Sequence, residues 1–235
     1  MDRTHTKISI IIPVYHEAAR INELLDSLRR ADPGGISERI VVEGAPEGDT
    51  AAVVEPSGAR VVLSEKGRSR QMNAGAAAAR GDILFFLHAD TTIPDGALDE
   101  IVRATGDPRC DAGAFGLEFD SPRAVFRFFG WVATARSRVS RVPFGDQGIF
   151  VRRAVFERIG GYRDIPLMED VELMTRLKRR GHGLRMLANR VTSSVRRWED
   201  EGIVYCTVRN CILFLLYRLG VSPRVLKRYY PDPPG

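Results

Sequence analysis

Apolar positions in the first hundred residues alternate between two periods. Residues 8–12 (ISIII) are a nearly continuous β-branched run, the pattern of a strand buried on both faces. After Glu17 the period changes. Ile21, Leu24, Leu25 and Leu28 recur at i, i+3, i+4 and i+7, which predicts a helix, and residues 32–35 (DPGG) stop it. Residues 39–43 (RIVVE) predict a second strand, 49–54 a short helix capped by Asp49, 59–63 (ARVVL) a third strand, and 69–80 a helix of small residues closed by Gly81. Residues 82–90 (DILFFLHAD) predict a fourth strand running to Asp90, with a helix starting near Pro94. Four strand–helix repeats imply a parallel sheet with helices on both faces. Its strand ends would gather Pro13, Glu43 and Asp90 along one edge, where open α/β sheets bind ligands.

The second half is less regular. Residues 114–119 and 148–151 predict strands, separated by a basic and aromatic stretch at 123–141. Residues 169–181 predict a helix, 184–187 and 191–195 two short strands, and 203–219 a strongly apolar helix. The end of the chain, 229–235, reads as a frayed tail. No internal repeat or linker appears, so one domain is expected over 1–235, with divisions at 7–110, 111–200 and 201–235.

Composition narrows the class. With 235 residues, 44% hydrophobic and 28% charged, the chain supports a sizeable core without disulfides. Cys110, Cys206 and Cys211 are odd in number, lack CxxC spacing and lie in apolar surroundings. They read as small buried hydrophobes of a reducing compartment, and no zinc site can be assembled from their spacing. The net charge of +5 suits an anionic partner, either a phosphorylated substrate or membrane lipid. No nucleic-acid-reading pattern is present, so nucleic acid is not an expected partner. The polar start and the Pro13-containing apolar run do not make a signal peptide, and no stretch reaches about 18 uninterrupted apolar residues, so a cytoplasmic location is expected.

Several side chains carry candidate chemistry. Asp90 at a strand end suits a divalent cation, because magnesium needs only one or two carboxylates plus substrate phosphates; it equally suits a helix cap. His88 lies two residues earlier, open to metal ligation, ribose contact or packing, and imidazole would favour manganese. Glu169 and Asp170 open a helix on which Asp170, Leu173, Met174 and Leu177 share one face. Asp170 therefore points inward, and it reads either as a general base or as a first-turn carboxylate. Arg68 and Arg70 lie in a glycine-flanked turn at a helix start, a setting suited to phosphate oxygens or to solvent. There is no GxGxxG after the first strand, no GxxxxGK[ST] loop and no GxSxG elbow.

In order, IIIPVYHE (10–17), VVEG (41–44), MNAGAAAARGD (72–82), LHAD (87–90), GDQG (145–148), GGYRD (160–164) and MEDVEL (168–173) resemble glycosyltransferase family 2, over about residues 7–185. The wording QMNAGA, LHADT and PFGDQG resembles a bacterial subgroup labelled arsenosugar-biosynthesis-type. The resemblance implies an α/β GT-A fold with a Rossmann-like, mostly parallel mixed sheet. It implies a nucleotide-diphosphate sugar donor, a divalent metal (Mg2+ or Mn2+) and an inverting displacement. Pro13, Val14, Glu17, Glu43, Arg68, His88 and Ala89 would bind the donor, and Asp90 the metal. Gly145, Asp146 and Gln147 would line the acceptor side, and Asp170 would be the base with Glu169 beside it. His88 stands where the family has the first Asp of its metal motif, and Glu43 where it usually has Asp. The acceptor is open between a small metabolite, a lipid-linked molecule and a polysaccharide. The competing reading is a non-catalytic binder of nucleotide sugars. For residues 123–141, peripheral membrane contact competes with a lid or ordinary packing. For residues 203–219, packing on the domain or on a second copy is favoured over lipid.

Overall fold

The computed structural model describes residues 8–54 and 58–230. Eight strands form one sheet: β1 (Ile8–Val14), β2 (Ser37–Glu43), β3 (Arg60–Leu63), β4 (Ile83–Phe86), β5 (Thr91–Thr92), β6 (Ala112–Phe119), β7 (Ile149–Arg152) and β8 (Leu184–Ser193). Their spatial order is β3-β2-β1-β4-β7-β6-β8-β5. β1 pairs in parallel with β2 on one side and β4 on the other. Sheet growth therefore changes direction between β1 and β4, and the C-terminal ends of such strands are where open α/β sheets hold ligands. β7 runs antiparallel to both β4 and β6, so the sheet is mixed but mostly parallel.

Two apolar layers cover the sheet. Ile8, Ile10, Ile12 and Val14 enter one, with Leu24, Leu25 and Leu28 of α1 (Ile21–Arg30) and Leu98 and Ile101 of α4 (Ala97–Thr105). Ile11 enters the other, with Met72 of α3 (Arg68–Ala78) and Leu173, Met174 and Leu177 of α7 (Glu169–Arg179). The small residues of α3 have a steric cause: a Cβ on Gly75 would sit 2.4 Å from Ile11 and 2.9 Å from Val42. Helix and sheet approach too closely there for a larger side chain.

The structure corrects several expectations. Residues 82–90 are not one strand. β4 stops at Phe86, and a turn closed by the Thr91 amide on the His88 carbonyl (3.1 Å) carries the chain to β5, which pairs with β8. The helix expected near Pro94 begins at Ala97, because Gly96 takes a left-handed conformation (φ 75°) before it. The two strands expected at 184–187 and 191–195 are one, β8. Its polar middle stays extended because Glu100 accepts from the Ala188 and Asn189 amides (2.7 and 3.3 Å) and β6 absorbs an irregularity between Ala114 and Gly116. Three short helices, α6 (Arg153–Arg158), α8 (Arg196–Glu201) and α10 (Pro223–Lys227), were too short to leave a periodic signal. Cys110 and Cys206 are buried, but Cys211 is exposed. Tyr230, expected in a frayed tail, packs beside Leu213 and Leu226; the rest of that segment, 231–235, lies like 1–7 outside the described residues.

Candidate functional site

At the C-terminal edge of β1, β2 and β4 the loops that follow the strands meet side chains from the starts of α3 and α7. β1 ends at Val14 beside Glu43, its register partner on β2. The buried Gln71 amide ties the two strand ends together, donating to the Val14 carbonyl at 2.7 Å and the Val42 carbonyl at 2.9 Å. Gly44 is the residue that admits it, since a Cβ there would fall 2.7 Å from the Gln71 amide carbon. Pro13 is partly exposed in this wall. Glu17 follows in the loop after β1, its amide donating to the Thr50 hydroxyl (3.0 Å) and its carboxylate 3.5 Å from Arg196. Burial raises the Glu17 carboxyl above its ordinary range, Arg196 opposing and Asp90 adding to the rise.

Glu43, expected on the donor side, turns its carboxylate inward. It accepts from the Ala45 amide (2.8 Å) and from those of Thr50 and Ala51 (3.1 Å each), fastening the loop and α2 (Asp49–Val53) to the end of β2. Removing it leaves buried donors without an acceptor. Glu43→Ala should therefore lower stability by about 2–4 kcal/mol, measured by urea melts.

The centre of the site lies around Gly145, in a single 3-10 turn (Gly145–Gln147) that precedes β7. The point a Cβ on Gly145 would occupy is 2.2 Å from Oδ2 of Asp170 and 2.7 Å from Nε2 of His88. Two side chains separated by more than eighty residues thus meet at one spot. His88 Nε2 is buried without a hydrogen-bond partner. Burial, and then the charge of Arg68, push its pKa down to about 3, so the imidazole is neutral. Asp170 is 7% exposed. Burial first, and Glu169 second, push its carboxyl up to about 8, with Arg68 opposing.

Glu169, also buried, accepts from Nη1 of Arg68 at 3.1 Å. Burial works against the charge of Arg68, but 45% of its side chain is open to solvent, and Glu169, then Asp170, hold the guanidinium above its ordinary range. The Tyr162 hydroxyl is buried without a well-formed hydrogen bond; burial, Asp170 and Glu169 hold its pKa well above the ordinary value. The Asp146 carboxyl is pushed up to about 6 by burial, with Arg136 and Arg68 opposing and Asp90 adding to the rise. Gln147, expected on the acceptor side, is instead fully enclosed: it donates to the Phe115 carbonyl (3.0 Å) and accepts from Ser137 (2.6 Å) and the Phe144 amide (3.2 Å). It holds the turn.

Asp90 stands in the exposed turn after His88 and the partly covered Ala89, and its charge reaches Glu17, Arg68 and Asp146. Among the described residues no group of three His, Cys, Asp or Glu would hold a metal ion unaided. Among the described residues the Asp90 carboxylate is bonded only to the Thr91 hydroxyl at 3.3 Å, which would suit a cation that takes its other ligands from phosphate oxygens and water. Beside Arg68, a cavity of about 250 Å3 is lined by Lys66, Gly67, Ser69, Arg70, Asp164 and Arg224. A comparable cavity between α4 and β8, about 240 Å3, contains none of these groups.

Sequence reasoning passed over Gln71, Tyr162, Arg136 and Arg196. Gln71 lies inside the QMNAGA wording and was within reach. Arg136 lies in the basic and aromatic stretch at 123–141, but only tertiary packing brings its charge to Asp146, and Arg196 leaves no local signal at all.

A model described as glycosyl transferase family 2 matches residues 9–160. The chain belongs to glycosyltransferase family 2. It is 26% identical over 220 residues to the probable glycosyltransferase YdaM of Bacillus subtilis, covering 83% of this chain and 51% of that protein. It is 31% identical over 96 residues to glucosyl-3-phosphoglycerate synthase of Mycobacterium tuberculosis, covering 37% of this chain and 30% of that protein. The chain thus spans about half or less of the length of these relatives. Among solved structures it resembles the mannosyltransferase PcManGT of Pyrobaculum calidifontis in complex with GDP-Man and Mn2+, with TM-score 0.63, 25% identity, and coverage of 83% of this chain and 59% of that one. S. aureus TarS in complex with UDP shares the fold, with TM-score 0.62, 18% identity and coverage of 81% and 61%.

Proposed function

We propose that this glycosyltransferase moves a sugar from a nucleoside-diphosphate sugar to an acceptor hydroxyl, with inversion and with Asp170 as general base. The observation that carries the reading is the enclosed Asp170 carboxylate beside His88 Nε2 at the switch-point edge, within reach of the charge of Arg68. In a single displacement the acceptor oxygen bonds to the anomeric carbon as the bond from that carbon to the diphosphate oxygen breaks. The acceptor proton passes to Asp170, whose raised pKa makes it a stronger base than an exposed aspartate. Glu169 holds the Arg68 guanidinium across the cleft, where it opposes charge on the departing diphosphate. Pro13, Glu17 and Ala89 would frame the nucleoside and Asp146 the acceptor; the Val14 side chain, expected with them, lies in the core instead. Asp90 would hold a divalent cation, which when bound supplies charge stabilisation to the leaving group. The GDP-Man and Mn2+ bound to PcManGT support a nucleotide-sugar donor and a divalent cation for this chain. The LHADT and PFGDQG wording supports the arsenosugar-type subgroup.

Calorimetry with GDP and UDP, with and without Mn2+, tests the metal side. Mn2+ should tighten nucleotide binding to the native chain, and Asp90→Ala should lose roughly tenfold or more of that enhancement. Equal enhancement in both proteins would remove Asp90 from the role.

A further inference from the structure

We infer that α5 (Ala124–Ser140) and α9 (Ile203–Arg218) form a surface that docks onto an anionic lipid bilayer. On α5 the solvent side carries Phe128, Trp131, Val132 and Val139, with Phe128 and Trp131 stacked and Trp131 60% exposed. On α9, Val204, Val208, Ile212 and Leu215, followed by Leu219 just past its end, recur at spacings of three and four, an exposed apolar stripe along the whole helix. Core contact is made by the other side of α9, through Cys206 and Leu213. The two helices are neighbours. Arg136 of α5 lies 3.7 Å from the ring centre of Phe144 and 5.7 Å from that of Phe214 on α9, and the two rings are 5.3 Å apart.

Charge selects the occupant. Residues 121–145 and 202–231 contain no Asp or Glu. Among the described residues Arg127, Arg138 and Arg141 around α5, and Arg218 on α9, make no ion pair. A second copy joined through the same face would bring like charges together, because a two-fold interface is self-complementary. An anionic bilayer pairs with the arginines and accepts the aromatic and aliphatic side chains at its headgroup boundary. Among the described residues no helix is long and apolar enough to cross a membrane, so the contact lies along the surface. Phe144, between the two helices, directly precedes the Gly145 turn, so such a surface adjoins the acceptor side of the cleft.

The test is co-sedimentation of the 235-residue chain with phosphatidylglycerol–phosphatidylcholine vesicles and with pure phosphatidylcholine vesicles, read together with tryptophan emission. Binding should be at least about tenfold tighter to the anionic vesicles, weaken with salt, and shift emission to the blue. Trp131→Ser with Leu215→Ser, and separately Arg127→Glu with Arg138→Glu, should each abolish it; every substituted position is exposed. Equal affinity for both vesicle types, unchanged binding by both variants, or a vesicle-free dimer that Trp131→Ser with Leu215→Ser dissolves would overturn the assignment.

Discussion

Asp170→Asn should cut kcat for sugar transfer by about 10³-fold while leaving nucleotide binding largely intact. The side chain keeps its size and most of its contacts, so what disappears is the ability to take a proton. Retained binding separates this outcome from unfolding, and thermal melts of both proteins check it directly. The same residue sets a pH dependence. Its carboxyl is held at about 8 by burial and by Glu169, so at neutral pH a large share of the free protein carries it protonated. kcat/KM should rise with pH, by roughly tenfold per unit well below that value, and level off above it. In the donor complex a bound cation would favour the carboxylate, so the inflection in kcat should lie lower than that in kcat/KM. A pH-independent kcat/KM between 6 and 9 (roughly the span over which such a base titrates) would mean that Asp170 is not the base.

What was legible before the fold was known follows from the range of each signal. β1 and α1 were readable because burial on both faces of a strand and on one face of a helix leaves uninterrupted patterns in Ile8–Val14 and Ile21–Arg30. The inward direction of Asp170 was readable for the same reason, since it shares a face with Leu173 and Met174. Residues 82–90 misled because Leu87 continues the apolar run and its amide still bonds the Ile11 carbonyl at 3.0 Å; only the pairing of Thr91 with Ser193, a hundred residues away, turns the chain. Glu43 and Gln147 show a different limit. Sequence order brings them to the site, but it does not say whether a polar side chain faces the ligand or the backbone. Both face the backbone, because loops at a strand edge leave amides that need acceptors.

Gly145→Ala should produce the second large loss, about 10²-fold in kcat. Gly145 has no left-handed backbone to excuse its glycine; the reason is space alone. An added methyl would lie 2.2 Å from Oδ2 and 2.8 Å from Cγ of Asp170, and 2.7 Å from Nε2 of His88. Neither neighbour is a flexible surface chain. Asp170 is buried at the start of α7 and His88, partly covered after β4, has its Nε2 buried, so relief must come from shifting the base or the turn by a sizeable fraction of an ångström. Overpacking of this kind costs about 1–3 kcal/mol, which should lower the melting temperature without unfolding the protein. Gly34→Ala is the matched control, because its Cβ would meet only Ile36 at an ordinary 3.7 Å, and it should leave kcat unchanged. If Gly145→Ala turns over like the native chain, the close meeting of Asp170 and His88 is not the reacting centre, and the catalytic base must be sought among the other carboxyls of the cleft, Asp146 first.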